Sequence, residues 1–172
     1  GNANVGVGFS SLASVTTGIQ NVGLGYQTLR IGNHNYNTAA GHAAGSHGSY
    51  SGSYNTFLGY RAGDSLTSGD ANVLLGTSAE AASATGDRQL TIGTYDGTTT
   101  TTWMKGDSDG ILSIGGNAES QAILKFYEDS DNGSNYIAIQ SPAANAGGAD
   151  YTLTLPELTG DLIPGKFGGT NF

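Results

Sequence analysis

Three histidines, His34, His42 and His47, lie close together in the first third of the sequence. Imidazole nitrogens are common ligands of transition metals, and a histidine facing the axis of a trimer would be present three times around one point. Histidines in turn-rich sequence more commonly lie in turns or on the surface, and we interpret these three histidines in that way. We predict no metal site and no other cofactor.

A second candidate for metal binding is the acidic segment "EDSDNGS" at 128–134. Asp129, Asp131 and Gly133 match the first half of a calcium-binding loop with oxygen ligands. The twelfth position of such a loop should be a carboxylate, but it is Gln140 here. This segment and "GDSDG" at 106–110 are therefore predicted to be polar turns.

Residues for catalysis are also difficult to assemble from this sequence. It contains no cysteine, and no Gly-x-Ser-x-Gly elbow stands between a predicted strand and a helix. Glycine pairs such as Gly6 and Gly8 lack the following helix that a dinucleotide site needs. Acid pairs occur only in turn-rich segments. We predict no catalytic residues and no enzymatic activity.

Aromatic side chains offer the remaining chemistry, because their faces can stack on sugar rings. The candidates for glycan contact are Tyr50, Tyr54, Tyr95 and Trp103. The alternative is that aromatic residues pack within the protein, with Tyr60 on its neighbours in the repeat and Trp103 at a junction between two regions.

Composition limits the range of partners. The net charge is −8, so nucleic acid and anionic lipid are disfavoured. No apolar run approaches the roughly 18 residues of a membrane helix, and we predict no membrane insertion. Residues 1–95 carry four acids and three bases, whereas residues 96–172 carry ten acids and three lysines. This change in charge indicates a domain boundary near residue 95.

One short phrase recurs six times in the first half of the chain, and each copy closes on a glycine. These turn glycines define six units spaced by 16 to 18 residues: Gly8, Gly25, Gly41, Gly59, Gly76 and Gly93. Positions in a unit are counted from its turn glycine. Position −4 is an amide in every unit: Asn4, Asn21, Asn37, Asn55, Asn72 and Gln89. From the second unit onward, position −7 is a second glycine in every unit except the third, which has His34: Gly18, Gly52, Gly69 and Gly86.

This spacing predicts a stack of β coils. Positions −3 and −1 are aliphatic or Thr in every unit, and residues two apart share one face of a strand. We predict that they point inward, that each turn glycine reverses the chain, and that the amides form a ladder along the stack. Position −2 would then point outward: Gly6, Gly23, Ala39, Phe57, Leu74 and Thr91. Because strands with apolar residues on both faces are usually covered on both, we expect further copies of the chain to cover that column, most simply in a homotrimer.

The repeat phase is lost after residue 95. Residues 96–110 are predicted to be a connector. Alternating apolar runs at 111–114, 122–128, 135–141 and 151–156 predict a small β module over residues 111–164. A glycine-rich tail covers residues 165–172. The chain starts in mid-phrase without an initiator Met, so we expect a fragment or a processed product.

The phrase "NVGLGYQTL" at 21–29 resembles the left-handed β-roll repeat of trimeric autotransporter adhesin heads. It is closer still to the N-T-x-x-G-Y-x-A arrays of bacteriophage tail-fibre and virion-fibre proteins. The likeness covers residues 1–95, and the segment from Leu124 to Ile163 is similar to small β modules of phage fibres.

The resemblance implies an all-β protein: a homotrimeric left-handed parallel β-roll, or solenoid, over residues 1–95, followed by the small β module. The implied function is a structural virion fibre segment, either spacer or host-attachment element. Its implied partners are other virion fibre or tail proteins and a host cell-surface glycan or protein, on a virion or another extracellular surface. Three alternatives were weighed: a bacterial trimeric surface adhesin head, a subunit of a self-assembling extracellular filament, and an enzyme such as a fibre-borne depolymerase, which would release sugar from a host capsule.

Overall fold

The structure is a computed structural model that describes residues 3–46, 48, 50–115, 123–127 and 136–140. The described residues contain strands and turns but no helix. In this described part of the chain, ten strands form two sheets: β1 (Val5–Val7), β2 (Val22–Leu24), β3 (Thr38–Ala40), β4 (Thr56–Leu58), β5 (Val73–Leu75), β6 (Leu90–Tyr95), β7 (Thr100–Gly106), β8 (Leu112–Ile114), β9 (Ile123–Tyr127) and β10 (Tyr136–Gln140).

Strands β1 to β6 lie side by side in chain order, and every neighbouring pair is parallel. The register follows the repeat, since position −3 of each unit pairs with position −3 of the next, and the same holds for positions −2 and −1. Residues 5–95 thus form a β-solenoid of about five turns. The predicted strand in each unit and the predicted stacking of β coils are confirmed.

The turn glycines form a column along the solenoid. In the first five units their φ angles lie between +119° and +136°, a region that residues with a side chain rarely adopt. A Cβ atom on any of the five would overlap the carbonyl oxygen of the turn glycine in the next unit. Gly93 differs, because β6 runs on past it and the chain does not turn there. The repeat therefore ends in the sixth unit.

The prediction of which strand face points inward was wrong. Position −2 is the buried one: Ala39, Phe57 and Leu74 are fully buried. Positions −3 and −1 are half-buried or exposed, and Val5 and Val7 are more than half exposed. The physical reason is space. A bulky Phe57 ring needs the wider interior of the coil, whereas aliphatic side chains of moderate size can line its outer surface.

Core volume is supplied by two different positions along the solenoid. In the first two units position −2 is glycine, and the aliphatic bulk comes from position +4, as Leu12 and Leu29. In the fourth unit Phe57 stands at position −2, and a Cβ on either flanking glycine, Gly45 or Gly63, would press on its ring. Bulk at one position is thus matched by glycine at the other, as close packing requires.

The C-terminal end of the solenoid is closed by antiparallel strands. β6 pairs antiparallel with β7, and β7 pairs with β8. The predicted connector over residues 96–110 therefore contains the seven-residue strand β7. The first strand of the predicted module, β8, belongs to the same eight-stranded sheet as the solenoid. Added in this way, β7 covers the strand edge that β6 would otherwise leave open.

The remaining strands, β9 and β10, form an antiparallel pair with Tyr127 opposite Tyr136 and Ile123 opposite Gln140. They confirm strands within the predicted runs 122–128 and 135–141. The run at 151–156, the acidic loop with Asp129, Asp131 and Gly133, and the tail at 165–172 lie outside the described residues.

Candidate functional site

The amide column at position −4 is buried inside the coil. The side chains of Asn21, Asn37, Asn55 and Asn72 are at most 1% exposed. Each asparagine Oδ1 from Asn4 onward accepts a hydrogen bond from the backbone N–H of the amide residue in the next unit, at 2.7–3.0 Å. Each Nδ2 donates to the carbonyl oxygen of position −7 in the next unit, at 2.7–3.1 Å. The predicted amide ladder is confirmed, and it joins every turn to its successor.

Gln89 ends this ladder. Its backbone N–H continues the pattern by donating to Asn72 Oδ1. Its longer side chain folds back, so that Nε2 donates to the carbonyl oxygens of Gly86 and Ser83 at 2.8 and 3.0 Å. The one departure from asparagine therefore occurs where no further unit follows, and the extra methylene lets the amide bond within its own unit.

His34 takes the place of glycine at position −7 in the third unit, and it is fully buried rather than a turn or surface residue as predicted. Burial lowers the pKa of its imidazole. Its Nδ1 lies 3.2 Å from Asn21 Oδ1, and its Nε2 has no hydrogen-bond partner among the described residues. The ring contacts that of Tyr50, with centroids 5.3 Å apart.

Tyr50 is also buried, at 1% exposure, and its hydroxyl joins the amide ladder. The hydroxyl donates to Asn37 Oδ1 at 3.1 Å and accepts from Asn55 Nδ2. Burial raises the pKa of this phenol. Its ring meets Phe57 edge to face. Tyr50 is therefore inaccessible to a ligand, and it cannot be one of the predicted glycan contacts.

The other three predicted glycan contacts are exposed but do not lie together on one element. Tyr54 stacks on Tyr36 of the preceding unit, with centroids 4.7 Å apart. Tyr95 ends β6 and donates its hydroxyl to the carbonyl oxygen of Gly97. Trp103 lies on β7 and is 53% exposed, so it does not fill a junction.

A larger aromatic cluster was not predicted as a feature of its own. Position +1 carries an aromatic ring in four consecutive units, and these rings form the aromatic stack: Phe9, Tyr26, His42 and Tyr60. Neighbouring centroids lie 4.8–5.4 Å apart and the planes differ by 14–24°. The signal in the sequence was the shared offset from the turn glycine, because equal offsets in a solenoid become neighbours in space.

The outward face of the solenoid is the surface formed by positions −3 and −1 of strands β1 to β5. Its most exposed members are aliphatic: Val5, Val7, Leu24, Leu58 and Val73, each between 36% and 59% exposed. A contiguous aliphatic surface of this kind on a parallel sheet normally has a partner.

One cavity, of about 270 Å³, lies where the parallel and antiparallel parts of the sheet meet. Glu80 and Lys105 line it, together with threonines of β6 and β7. Burial raises the pKa of the Glu80 carboxyl, while its Oε2 accepts hydrogen bonds from the backbone and hydroxyl of Ser65 at 2.9 and 2.6 Å. These bonds tie two neighbouring units together, so Glu80 acts as a structural link.

A second cavity, the corner notch, has a volume of about 260 Å³ and lies beside the aromatic stack. Its walls come from three consecutive units, at positions +1, +2 and +5: Gln27, Arg30, His42, Ala43, Ser46, Tyr60, Arg61 and Asp64. Two of the three arginines of the chain line it.

Of the three histidines that were considered as metal ligands and then set aside, the two in the described part of the chain lie in different surroundings. His34 is in the core and His42 in the aromatic stack, while His47 lies outside the described residues. No group of three or more His, Cys, Asp or Glu side chains in the described part of the chain is placed to hold a metal ion. Among the same residues, no helix has the length and apolar character needed to cross a membrane.

Comparisons with models of known protein families, with curated protein sequences and with solved structures find no match for this chain.

Proposed function

We propose that this chain is a structural segment of an extracellular fibre, namely a phage tail or capsid fibre. In this fibre three copies of the chain associate as left-handed β-rolls. The fibre acts as a spacer and carries a surface that contacts the host. Other virion fibre or tail proteins and a host cell-surface glycan or protein are its partners. The proposal assigns it no catalytic step, cofactor, nucleic acid or membrane insertion.

The outward face is the observation that carries this proposal. Five aliphatic side chains on β1, β2, β4 and β5 stay in contact with water in the single chain, and burying them is worth about 25 cal/mol for each Å² removed from water. Identical chains provide identical faces, and a closed ring of three covers all of them at once. The exposed apolar face consists of positions −3 and −1 and not of position −2 as predicted from sequence. Association of identical chains would cover it in the same way.

The amide ladder supports a mechanical role. Each turn is bonded to the next through both atoms of a buried amide, and backbone hydrogen bonds join successive turns at further positions around the coil, such as Gln27 to Phe9 and Gly45 to Ala62. A stack joined so closely resists bending, which suits a spacer. Three chains also bring three copies of every surface site together, so weak single contacts can add up to firm attachment.

Molar mass in solution tests the association. We expect light scattering on the full chain to give three times its 17.4 kDa, and we expect the trimer to resist SDS. Leu58→Glu places a charge on the outward face and should yield monomers with an unchanged far-ultraviolet circular dichroism spectrum. The control is Thr17→Glu, at an exposed position outside the strands, which should remain trimeric. A folded wild-type monomer of 17.4 kDa would contradict the proposal.

The self-assembling filament is less well supported. A head-to-tail filament would need β1 of one copy to continue the stack beyond β6 of another, but that edge of β6 is already paired with β7. A bacterial adhesin head would share the fold and the trimer, so it differs only in what anchors the segment.

A further inference from the structure

The corner notch is built by a difference in residue size between neighbouring units. At positions +2 and +5 the second unit has Gln27 and Arg30, and the fourth has Arg61 and Asp64. The third unit, between them, has only Ala43 and Ser46. Strands in a sheet lie about 4.8 Å apart, so one small unit between two large ones leaves a gap of roughly 9–10 Å between its walls.

Arg30 is the unusual residue of the notch. No described residue accepts a hydrogen bond from its guanidinium or forms an ion pair with it, and its Nε is buried without a partner. A buried donor that has lost its contact with water and has gained no protein acceptor is unfavourable. A guanidinium facing a cavity is suited to a carboxylate, which it can bind through two parallel hydrogen bonds.

The opposite wall is fixed and polar. Asp64 holds Arg61 through Nε at 3.0 Å and through Nη2, and the Tyr60 hydroxyl also interacts with this guanidinium. The ion pair cancels the charge of Arg61, so among the described residues Arg30 is the arginine of the notch that has no ion-pair partner. Gln27 and Ser46 add an amide and a hydroxyl. A wall of hydroxyls, amides and paired charges suits the hydroxyl groups of a sugar.

The aromatic stack adds a ring edge. The ring centroids of Tyr26 and Tyr60 lie 4.8 and 5.2 Å from the centroid of His42, and the two rings cover both of its faces. A ligand can therefore approach His42 at its ring edge, which carries the nitrogen atoms. The notch, at about 260 Å³, is slightly smaller than the sites of drug-sized ligands, which begin near 300 Å³. One sugar ring suits this volume better than two.

We propose that the corner notch binds an acidic monosaccharide unit of a surface glycan, with its carboxylate on Arg30 and its hydroxyls on Arg61, Asp64 and Gln27. The chain has a net charge of −8, so an anionic glycan is repelled by most of the surface and attracted at this point. The inference deepens the proposed attachment function and rests on it for the setting in which the ligand is met.

The test uses two sugars that differ only at one carbon. Methyl β-glucuronide has a carboxylate where methyl β-glucoside has a hydroxymethyl group. We expect ligand-observed NMR on the full wild-type chain to show weak binding of the glucuronide, and binding of the glucoside weaker by about tenfold or more. Equal binding of the two sugars would overturn the proposal. Equal binding of acetate and glucuronide would also overturn it, because the notch would then be an anion site without sugar recognition.

Two variants locate the binding. Arg30→Met should abolish glucuronide binding, and Arg88→Met, which removes an exposed arginine of the sixth unit, should leave it unchanged. Ala43→Gln fills the notch with the residue that the second unit already has at the equivalent position, where φ is 54° at Gln27 and 55° at Ala43. It should also abolish binding without unfolding the chain. Retained binding in both Arg30→Met and Ala43→Gln would refute the notch as the site.

The molar mass of the same samples separates this inference from the proposed function. A wild-type trimer that binds neither sugar refutes the notch alone. A wild-type monomer that binds the glucuronide through Arg30 refutes the fibre proposal and supports the notch.

Discussion

The turns that lead to β3 and β4 differ from those that lead to β5 and β6, although all four carry the same amide ladder. In the later pair the turn glycines are 17 residues apart and position −7 is glycine. In the earlier pair the spacings are 16 and 18 residues, His34 replaces the first glycine, and Tyr50 enters the core.

The ladder hydrogen bonds have similar lengths in both regions. The amide ladder therefore sets the position of each layer, while the corner, which is the segment that joins one layer to the next, can vary in length. The rings of His34 and Tyr50 fill the variable corner. In this corner the backbone of one unit comes close to that of the next at Gly32, where an added Cβ would overlap the carbonyl oxygen of Tyr50. Aromatic packing takes over the role that glycine has in the regular turns.

Asn55→Ala should have the largest effect, because this residue belongs to both regions. It removes the acceptor of the Asn72 backbone N–H and the donor to Gly69 and Tyr50. Leaving several buried polar groups without partners should lower the free energy of unfolding by about 3–5 kcal/mol. Asn72→Ala, in the regular region without the tyrosine, should cost less. Denaturant unfolding at equal protein concentration measures both. Equal costs would show that Tyr50 adds nothing to the ladder.

Gly69→Ala tests the close approach in the regular region. Its Cβ would overlap the carbonyl oxygen of Gly86, so the two layers must separate, at about 1–3 kcal/mol. Gly48→Ala is the matched control, because its Cβ would meet nothing within 4 Å. Thermal unfolding should show a lower midpoint for Gly69→Ala and little change for Gly48→Ala.

Tyr50→Phe removes only the hydroxyl from the irregular corner. Asn37 Oδ1 keeps its hydrogen bond from the Asn55 backbone N–H, and Asn55 Nδ2 keeps the Gly69 carbonyl oxygen as acceptor. The free energy of unfolding should therefore fall by about 1 kcal/mol.

The raised pKa of Tyr50 also makes stability depend on pH. Its contribution to stability is complete below pH 10 and falls above it, because the phenol of the unfolded chain ionises first. Tyr50→Phe should therefore reduce the loss of stability above pH 10.

His34 should give the smallest effect near neutral pH and a growing one in acid. Burial holds its pKa below the ordinary 6.5, so the unfolded chain takes up the proton first. Its contribution to stability is complete above pH 6.5 and is lost as the pH falls towards the lowered value, by up to about 1.4 kcal/mol for each pH unit. His34→Gln should flatten the stability profile between pH 6.5 and 5. An identical slope of stability against pH in the variant would mean that carboxyl groups alone cause the loss of stability in acid.

Much of the solenoid could be predicted, because a stacked coil turns sequence offsets into columns in space. The six strands, the turn glycines and the amide ladder all follow from equal spacing. The candidate site could not be predicted in this way. The corner notch depends on differences between units, namely Ala43 and Ser46 between larger neighbours, and a search for what repeats passes over them.

The sequence by itself determined the periodic backbone of this protein, since glycine at a fixed offset sets where the chain can turn and a buried amide at another offset must bond to the next layer. Only the tertiary structure decided which strand face is inside, because Phe57 and Leu74 at position −2 and the aliphatic residues on either side of it are all apolar enough for a core. The decision depends on volume: the coil closes around position −2, where glycines at position +4 leave room for Phe57, and the other face stays in contact with water.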